Sequence, residues 1–181
     1  MAQLHAVTAH PAPGKYSAST RTRTIYAASM AVGLIGLLAA FYVDKSRAWH
    51  SYLTSFFMFT SLALGGIFFA AIQHVSKAGW SVTVRRLAEA MTSFLPIAAV
   101  GAVILLFGAK NLYIWLDPEV VSQDAILRGK SGYLNMPFFV IRTIVFFAGW
   151  LLFSYLIVGH SLKQDEDGDV SHTVKNVGLS I

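Results

Sequence analysis

Five side chains in or beside the apolar segments of this sequence belong to types that exchange protons or bind polar ligand atoms. They are His50, Gln73, His74, Glu89 and Arg142. Imidazole and carboxylate groups are the usual proton donors and acceptors of proteins. A charge inside an apolar helix is costly, so it is taken as functional by default. These five residues are the candidates for a ligand-binding or proton-conducting role.

Arg142 is the one charged residue in the apolar run 136–158. One interpretation is that it pairs with an oxygen of a bound ligand or with a buried carboxylate. It also lies only about two turns from the start of its helix, so its long side chain can reach back to the polar surface. The sequence leaves both interpretations open.

Three histidines, His50, His74 and His160, stand at the ends of apolar runs. A haem b held between helices usually needs two histidines at matching depth. His50 and His74 are separated by about 36 Å along one helix, so they cannot share an iron. His74 and His160 are expected on the same side and form the candidate haem pair. The alternative is that both are interfacial histidines bonded to water, lipid headgroups or loop carbonyls.

Glu89 follows Arg85 and Arg86 in the segment between two apolar runs. Ser81 is expected to cap a short amphipathic helix here, which would lie on the membrane headgroups. The three charged residues could form a proton-entry site. The spacing of Arg85 and Glu89 is equally that of an ordinary surface pair.

The long connection 108–135 combines aromatic and acidic residues. Tyr113, Trp115, Asp117 and Glu119 are the candidates for a surface that docks an extrinsic partner. The simpler interpretation of this segment is a solvated loop.

The amino-acid composition indicates which class of protein contains these candidate residues. Of 181 residues, 55% are hydrophobic and only 13% are charged. Soluble domains use about twice that share of charge, so much of this surface must face lipid. Cysteine is absent, which excludes disulfides and thiolate-ligated clusters. No basic stripe with interleaved aromatics is present, so nucleic acid is not expected as a partner.

Hydrophobicity predicts an all-α integral membrane protein with four transmembrane helices, at about 24–43, 49–75, 91–107 and 136–158. Pro96 is expected to kink the third helix, and Pro137 suits the first turn of the fourth. In the second helix, the pairs Ser61/Gly65 and Gly66/Ala70 predict helix-contact faces.

The polar segments divide the chain into a N-terminal extension (1–23), the transmembrane region (24–160) and a polar tail (161–181) that ends like the start of a further helix. If the N-terminus is cytoplasmic, the cytoplasmic segments contain more lysine and arginine than the outer loops. This weakly favours a cytoplasmic N-terminus in a bacterial inner membrane.

Several stretches combine aromatic, small and charged residues in a specific pattern. They are 49–53 (WHSYL), 61–66 (SLALGG), 73–74 (QH), 79–81 (GWS), 84–89 (VRRLAE), and 130–139 (KSGYLNMPFF) running into 141–142 (IR). Together they resemble the NrfD/polysulfide-reductase-type membrane subunits. Within that family they are most similar to the second such subunit (the F subunit) of bacterial alternative complex III. The resemblance extends over roughly residues 24–175.

The resemblance implies a larger subunit of roughly ten helices, of which these four spans would be the N-terminal part. It implies partners: a second NrfD-like membrane subunit, an iron–sulfur subunit and c-type cytochrome subunits. It also implies that this chain binds no metal or cofactor itself. Haem c and iron–sulfur clusters would belong to partner subunits, and menaquinone or ubiquinone would serve the complex.

The expected function is therefore that of a membrane subunit of a quinol:cytochrome c/electron-acceptor oxidoreductase. It would anchor the extrinsic redox subunits and contribute to quinol binding or proton translocation. His50, Gln73, His74, Glu89 and Arg142 are the quinone and proton-path candidates. Two alternatives remain: a haem-b-binding membrane anchor of a dehydrogenase that uses His74 and His160, and a structural or transport bundle without redox partners.

Overall fold

The computed structural model describes residues 17–76 and 82–181, with side chains from residue 84 onward in the second part. These residues form helices and turns without a β-strand. The α-helices are α1 (Thr20–Val43), α2 (Lys45–Val75), α3 (Val82–Met91), α4 (Leu95–Leu112), α5 (Pro118–Gln123), α6 (Ala125–Gly129), α7 (Met136–Asp167) and α8 (Ser171–Ser180). Short 3₁₀ turns occupy Thr92–Phe94 and Ile114–Leu116. The expected cap Ser81, the segment 79–81 and residues 1–16 of the expected extension lie outside the described residues.

Four helical segments are long and apolar enough to cross a membrane: Thr20–Val43, Lys45–Val75, Val84–Leu112 and Met136–Asp167. Each of the four spans predicted from hydrophobicity lies inside one of them. The prediction of an all-α protein with four membrane-crossing helices is confirmed at this level of length and composition. The helices extend beyond the predicted spans, and α1 begins within the segment expected to be an extension.

Polar side chains at the helix starts explain where two of these elements begin. Asp44 is the only residue between α1 and α2, and its carboxylate accepts a hydrogen bond from the Arg47 amide at 3.1 Å. Asn135 caps α7 by accepting from the Phe138 amide at 2.9 Å, with Pro137 in the first turn. Both are ordinary N-cap arrangements, which satisfy amides that the helix itself leaves free.

The third membrane segment changes helix type where the sequence predicts a kink. α3 passes through the 3₁₀ turn Thr92–Phe94 into α4, and Pro96 lies in the first turn of α4. Proline lacks an amide hydrogen and fits a first turn, so the hydrogen-bond pattern is interrupted just before it. The predicted break at Pro96 therefore takes the form of two helices joined by a 3₁₀ turn.

The charged side of α3 faces the protein, and its apolar side faces outward. Glu89 is only 4% exposed, whereas Leu87 is 67% exposed and Val84 is also exposed. Ala88, an apolar residue of the same helix, is also buried, at 6% exposure. The placement of α3 on the headgroups stays a prediction.

α2 is the central helix, because it contacts α1, α3, α4, α7 and α8. Its buried stripe consists largely of small residues, including Gly66 and Ala70, one of the two predicted contact faces. A Cβ atom on Gly66 would overlap the Ala88 carbonyl oxygen, so α2 and α3 approach backbone to backbone. Gly65, in the other predicted face, has no described neighbour within van der Waals distance of such an atom.

The segment 161–181, expected to be a polar tail, is mostly helical and folds back on the bundle. α7 continues to Asp167 and ends at Gly168, whose φ of 70° is readily adopted by glycine. α8 then packs against α7 and α2. We call this side of the bundle the α8 end, and the opposite side, where residues 113–135 lie, the loop end.

The two neighbouring glycines of α2 provide a matched test of this packing. We expect Gly66→Ala to lower the free energy of unfolding by about 1–3 kcal/mol, because the Ala88 backbone cannot move aside cheaply. Gly65→Ala should be neutral or stabilising by up to about 1 kcal/mol, because alanine favours the helix and meets open space. Unfolding of the detergent-solubilised protein by a denaturing detergent measures both. Equal effects would contradict the close α2–α3 contact.

Candidate functional site

The carboxylate of Glu89 lies buried between α3 and α7 at the α8 end. Arg86 Nη1 donates to its Oε2 at 2.8 Å, and Ser161 Oγ donates to its Oε1 at 2.8 Å. The Nε of Arg85 lies 3.6 Å from the same Oε1. Removing a carboxylate from water is costly unless it is paired and hydrogen-bonded. Both oxygens of Glu89 meet that requirement.

Arg86 extends this pairing across the two helices. Its Nη2 donates to the backbone carbonyl of Ser161 at 3.0 Å and also pairs with the Asp165 carboxylate. One guanidinium therefore contacts Glu89 on its own helix and two groups on α7. The planar, multidentate donor set of arginine suits this bridging role better than lysine would. The cluster of Arg85, Arg86, Glu89, Ser161 and Asp165 is called the Glu89 cluster below.

A groove of about 650 Å³ runs from the Glu89 cluster along the outside of the bundle. Its walls come from α3, the start of α4 and α7, and most of its surface is apolar. On α7 it extends from Leu151 to Leu162, about 16 Å along the helix axis. Arg86 and Glu89 supply charged groups near the Leu162 end, and Tyr155 and Ser154 also line it. This volume and composition suit an amphipathic ligand with one polar end.

His74, another predicted site residue, is joined to His160 by a third side chain. His74 is 2% exposed and Asn176 is 1% exposed. Asn176 Nδ2 lies 3.3 Å from His74 Nε2, and Asn176 Oδ1 lies 2.9 Å from His160 Nδ1. The expectation that these histidines lie at the same end of the bundle agrees with this geometry. The space between the two rings is filled by the asparagine, so this arrangement does not fit a haem iron held by both.

The predicted site residues divide between the two ends of the bundle. Gln73, His74 and Glu89 are buried at the α8 end. His50 lies near the opposite end of α2, where its Nδ1 is 2.7 Å from the Ser46 carbonyl. Arg142 lies near the start of α7. The five candidates therefore do not form one site, and only the three at the α8 end are near one another along the helices.

Arg142 stacks on aromatic rings near the start of its helix. Its guanidinium carbon lies 3.8 Å from the ring centroid of Tyr133 and 4.9 Å from that of Phe138. Such cation–π contacts stabilise a partly desolvated guanidinium. The structure thus matches the interpretation in which Arg142 reaches back toward the polar surface.

The proposed docking residues at the loop end have two different environments. Tyr113 and Trp115 stack at 5.4 Å and both contact the Phe139 ring of α7. Burial raises the pKa of the Tyr113 phenol. Asp117 and Glu119 are exposed, and Asp117 caps α5 by accepting from the Glu119 amide at 3.0 Å. The aromatic pair anchors the loop, and the acidic pair faces outward.

Sequence reasoning missed three contributors to these clusters: Ser161, Asp165 and Asn176. Ser161 and Asn176 are buried, yet all three lie in or beside the segment expected to be a polar tail. Nothing local in the sequence identifies their partners, because the partners are 72 and 102 residues away.

No protein-family model matches this chain, and no curated protein matches it.

Ser161 tests whether the Glu89 cluster stabilises the fold. Ser161→Ala leaves one Glu89 oxygen without its buried donor, so we expect a loss of about 1–3 kcal/mol in the free energy of unfolding. Ser122→Ala, at an exposed loop-end helix, should change it by less than about 0.5 kcal/mol. Unfolding in mixed detergent micelles measures both variants. The effect of Ser161→Ala should shrink when Glu89→Gln is already present, because the two side chains act as a pair.

Proposed function

We propose that this chain is a membrane subunit of a quinol-oxidising respiratory complex of the alternative-complex-III kind, located in the bacterial inner membrane. The observation that carries the proposal is the buried Glu89 carboxylate at the polar end of an apolar groove. The residue patterns that resemble NrfD-type subunits support the same conclusion. The proposed role combines a quinol site with an anchor for extrinsic redox subunits.

The groove matches the chemistry of a quinol. A quinol has a ring with two hydroxyl groups and a long apolar tail, so it needs polar partners at one end and an apolar channel at the other. Glu89 can accept a hydrogen bond from a quinol hydroxyl. The Arg86 guanidinium can donate a hydrogen bond to the quinol oxygen once that hydroxyl has lost its proton. The tail would lie along α7 between Val158 and Leu151.

Oxidation of a quinol releases two electrons and two protons. Glu89 would receive one of these protons from a hydroxyl, and the second would leave to water at the membrane surface. The existing partners of Glu89, Arg86 and Ser161, hold the carboxylate at a fixed position. The electrons would pass to haem c and iron–sulfur clusters of partner subunits. Those partners are an iron–sulfur subunit, c-type cytochrome subunits and a second NrfD-like membrane subunit.

The loop end is the proposed docking side for an extrinsic subunit. Tyr113 and Trp115 hold the connecting loop against α7, so Asp117 and Glu119 are presented on a defined backbone. Exposed carboxylates of this kind attract a basic partner surface and speed its association. The proposed docking surface and the proposed quinol site would therefore lie at opposite ends of the bundle.

Purification from native membranes in a mild detergent tests the assignment to a complex. We expect a multihaem c-type cytochrome, an iron–sulfur protein and a second NrfD-like subunit to co-purify, with haem c absorbance in the eluate. A colourless chain that purifies alone would contradict the proposal and leave a helical bundle of another function. A haem b spectrum from the chain alone would instead favour the dehydrogenase-anchor alternative.

Glu89→Gln tests the quinol site within the native complex. The amide keeps the shape of the side chain but cannot take a proton, so we expect kcat for oxidation of a short-chain quinol to fall about 10²-fold, with KM little changed. Glu166→Gln removes an exposed carboxylate outside the groove and should leave the rate unchanged. An intact complex in which Glu89→Gln oxidises quinol at the parental rate would exclude Glu89 from this role.

A further inference from the structure

Asn176 is the most deeply buried polar side chain of α8, and it contacts three groups on two other helices. Its amide nitrogen lies 3.0 Å from the Ile157 carbonyl oxygen of α7 and 3.3 Å from His74 Nε2 of α2. Its amide oxygen lies 2.9 Å from His160 Nδ1 of α7. The two histidines are therefore connected through a single amide group.

The Ile157 carbonyl fixes which way this amide points. A carbonyl oxygen can only accept a hydrogen bond, so the amide nitrogen of Asn176 must face it. The second hydrogen of that nitrogen then points to His74 Nε2, which must accept it with a lone pair. Likewise, Asn176 Oδ1 can only accept, so His160 must carry a hydrogen on Nδ1. The network thus requires a neutral His74, whereas His160 can be neutral or charged.

We propose that His74, Asn176 and His160 form a binding site for a single proton, and that protonation of His74 releases α8 from α2. A proton on His74 Nε2 would place an N–H group against the N–H of Asn176, which turns an attractive contact into a repulsive one. The amide oxygen of Asn176, which could accept from such a group, faces His160 and not His74. The amide cannot accept from two charged histidines while it also donates to Ile157.

The charged and titratable groups around the site come from three helices. Arg85 and Arg86 are the charged groups that α3 contributes near the His74 ring. On the other side, the Asp167 carboxylate of α7 lies 2.9 Å from His172 Nε2 of α8. The His172 ring stacks on His160 at 6.0 Å. His172 has its own carboxylate partner in Asp167, which ties α8 to the end of α7.

The contact through Asn176 also differs in position from the other polar contacts of α8. His172 with Asp167 and Thr173 with Gln164 both tie the first turn of α8 to the end of α7. Among the described residues, Asn176 makes the side-chain hydrogen bond that joins α8 to α2. Loss of that bond should therefore loosen the second half of α8 from α2, while Asn176 stays bonded to Ile157 and His160 of α7 and the first turn stays attached.

Hydrogen–deuterium exchange on the full chain in lipid nanodiscs tests the proposal. Protection factors of the amides in 176–180 should fall by about tenfold or more as the pH is lowered from about 8 to about 4. Protection factors in the buried part of α4, corrected for intrinsic exchange in the same way, should stay constant. A constant protection of 176–180 over this range would overturn the proposal.

Three variants separate the role of His74 from other effects of pH. His74→Gln keeps an acceptor for Asn176 but cannot be charged, so 176–180 should stay protected at every pH. His172→Gln removes the other buried histidine of this end, and the loss of protection should remain at the same pH. Asn176→Asp supplies a carboxylate that accepts from charged histidines, so protection should rise and not fall as the pH is lowered.

Two results would contradict the single-proton site. If His74→Gln lost protection with pH as the parent does, another group would control α8. If His172→Gln abolished the pH dependence, the controlling proton would be on His172. Because none of these measurements involves quinol or a partner subunit, their outcome is independent of the outcome for the proposed function.

Discussion

A carboxylate buried at the edge of an apolar bundle sets the arrangement of everything near it. Glu89 is removed from water, so it must keep both Arg86 and Ser161 as partners. This need turns the charged side of α3 inward and leaves its apolar side for lipid. The same hydrogen bonds fix the position of α3 relative to α7, which apolar contacts alone would not define. The groove begins beside this fixed point, with Arg86 and Glu89 in its lining.

The two ends of the bundle are stabilised by different kinds of interaction. At the loop end, aromatic rings surround Arg142 and hold the connecting loop, and exposed carboxylates face outward. At the α8 end, ionic and amide groups are buried in pairs, each with a specific partner. Aromatic contacts tolerate small rearrangements, whereas buried hydrogen-bonded pairs do not. The loop end is therefore held by aromatic contacts, and the α8 end by specific polar pairs.

Hydrophobicity alone was sufficient for the four membrane helices, because a run of about twenty apolar residues has few other folds available. The pairing of Glu89 with Arg85 and Arg86 was also foreseen, since residues three and four apart share a helix face. The partners on α7 and α8 were not, because Ser161 and Asp165 lie on a continuation of α7 that was expected to be a polar tail, and Asn176 lies on α8, beyond Gly168. The residues next to Ser161 or Asn176 in the sequence do not indicate which distant side chain each will contact. The resemblance to NrfD-type subunits remains a prediction.

The single residue between α1 and α2 has a consequence for biogenesis. Asp44 is both the last residue before α2 and the cap of its first turn, so no slack separates the two helices. Lys45 and Arg47 immediately follow, so the positive charges lie at the junction of the two helices. No loop is available to separate the insertion of α1 from that of α2. The two helices are therefore constrained to enter a membrane as one connected unit.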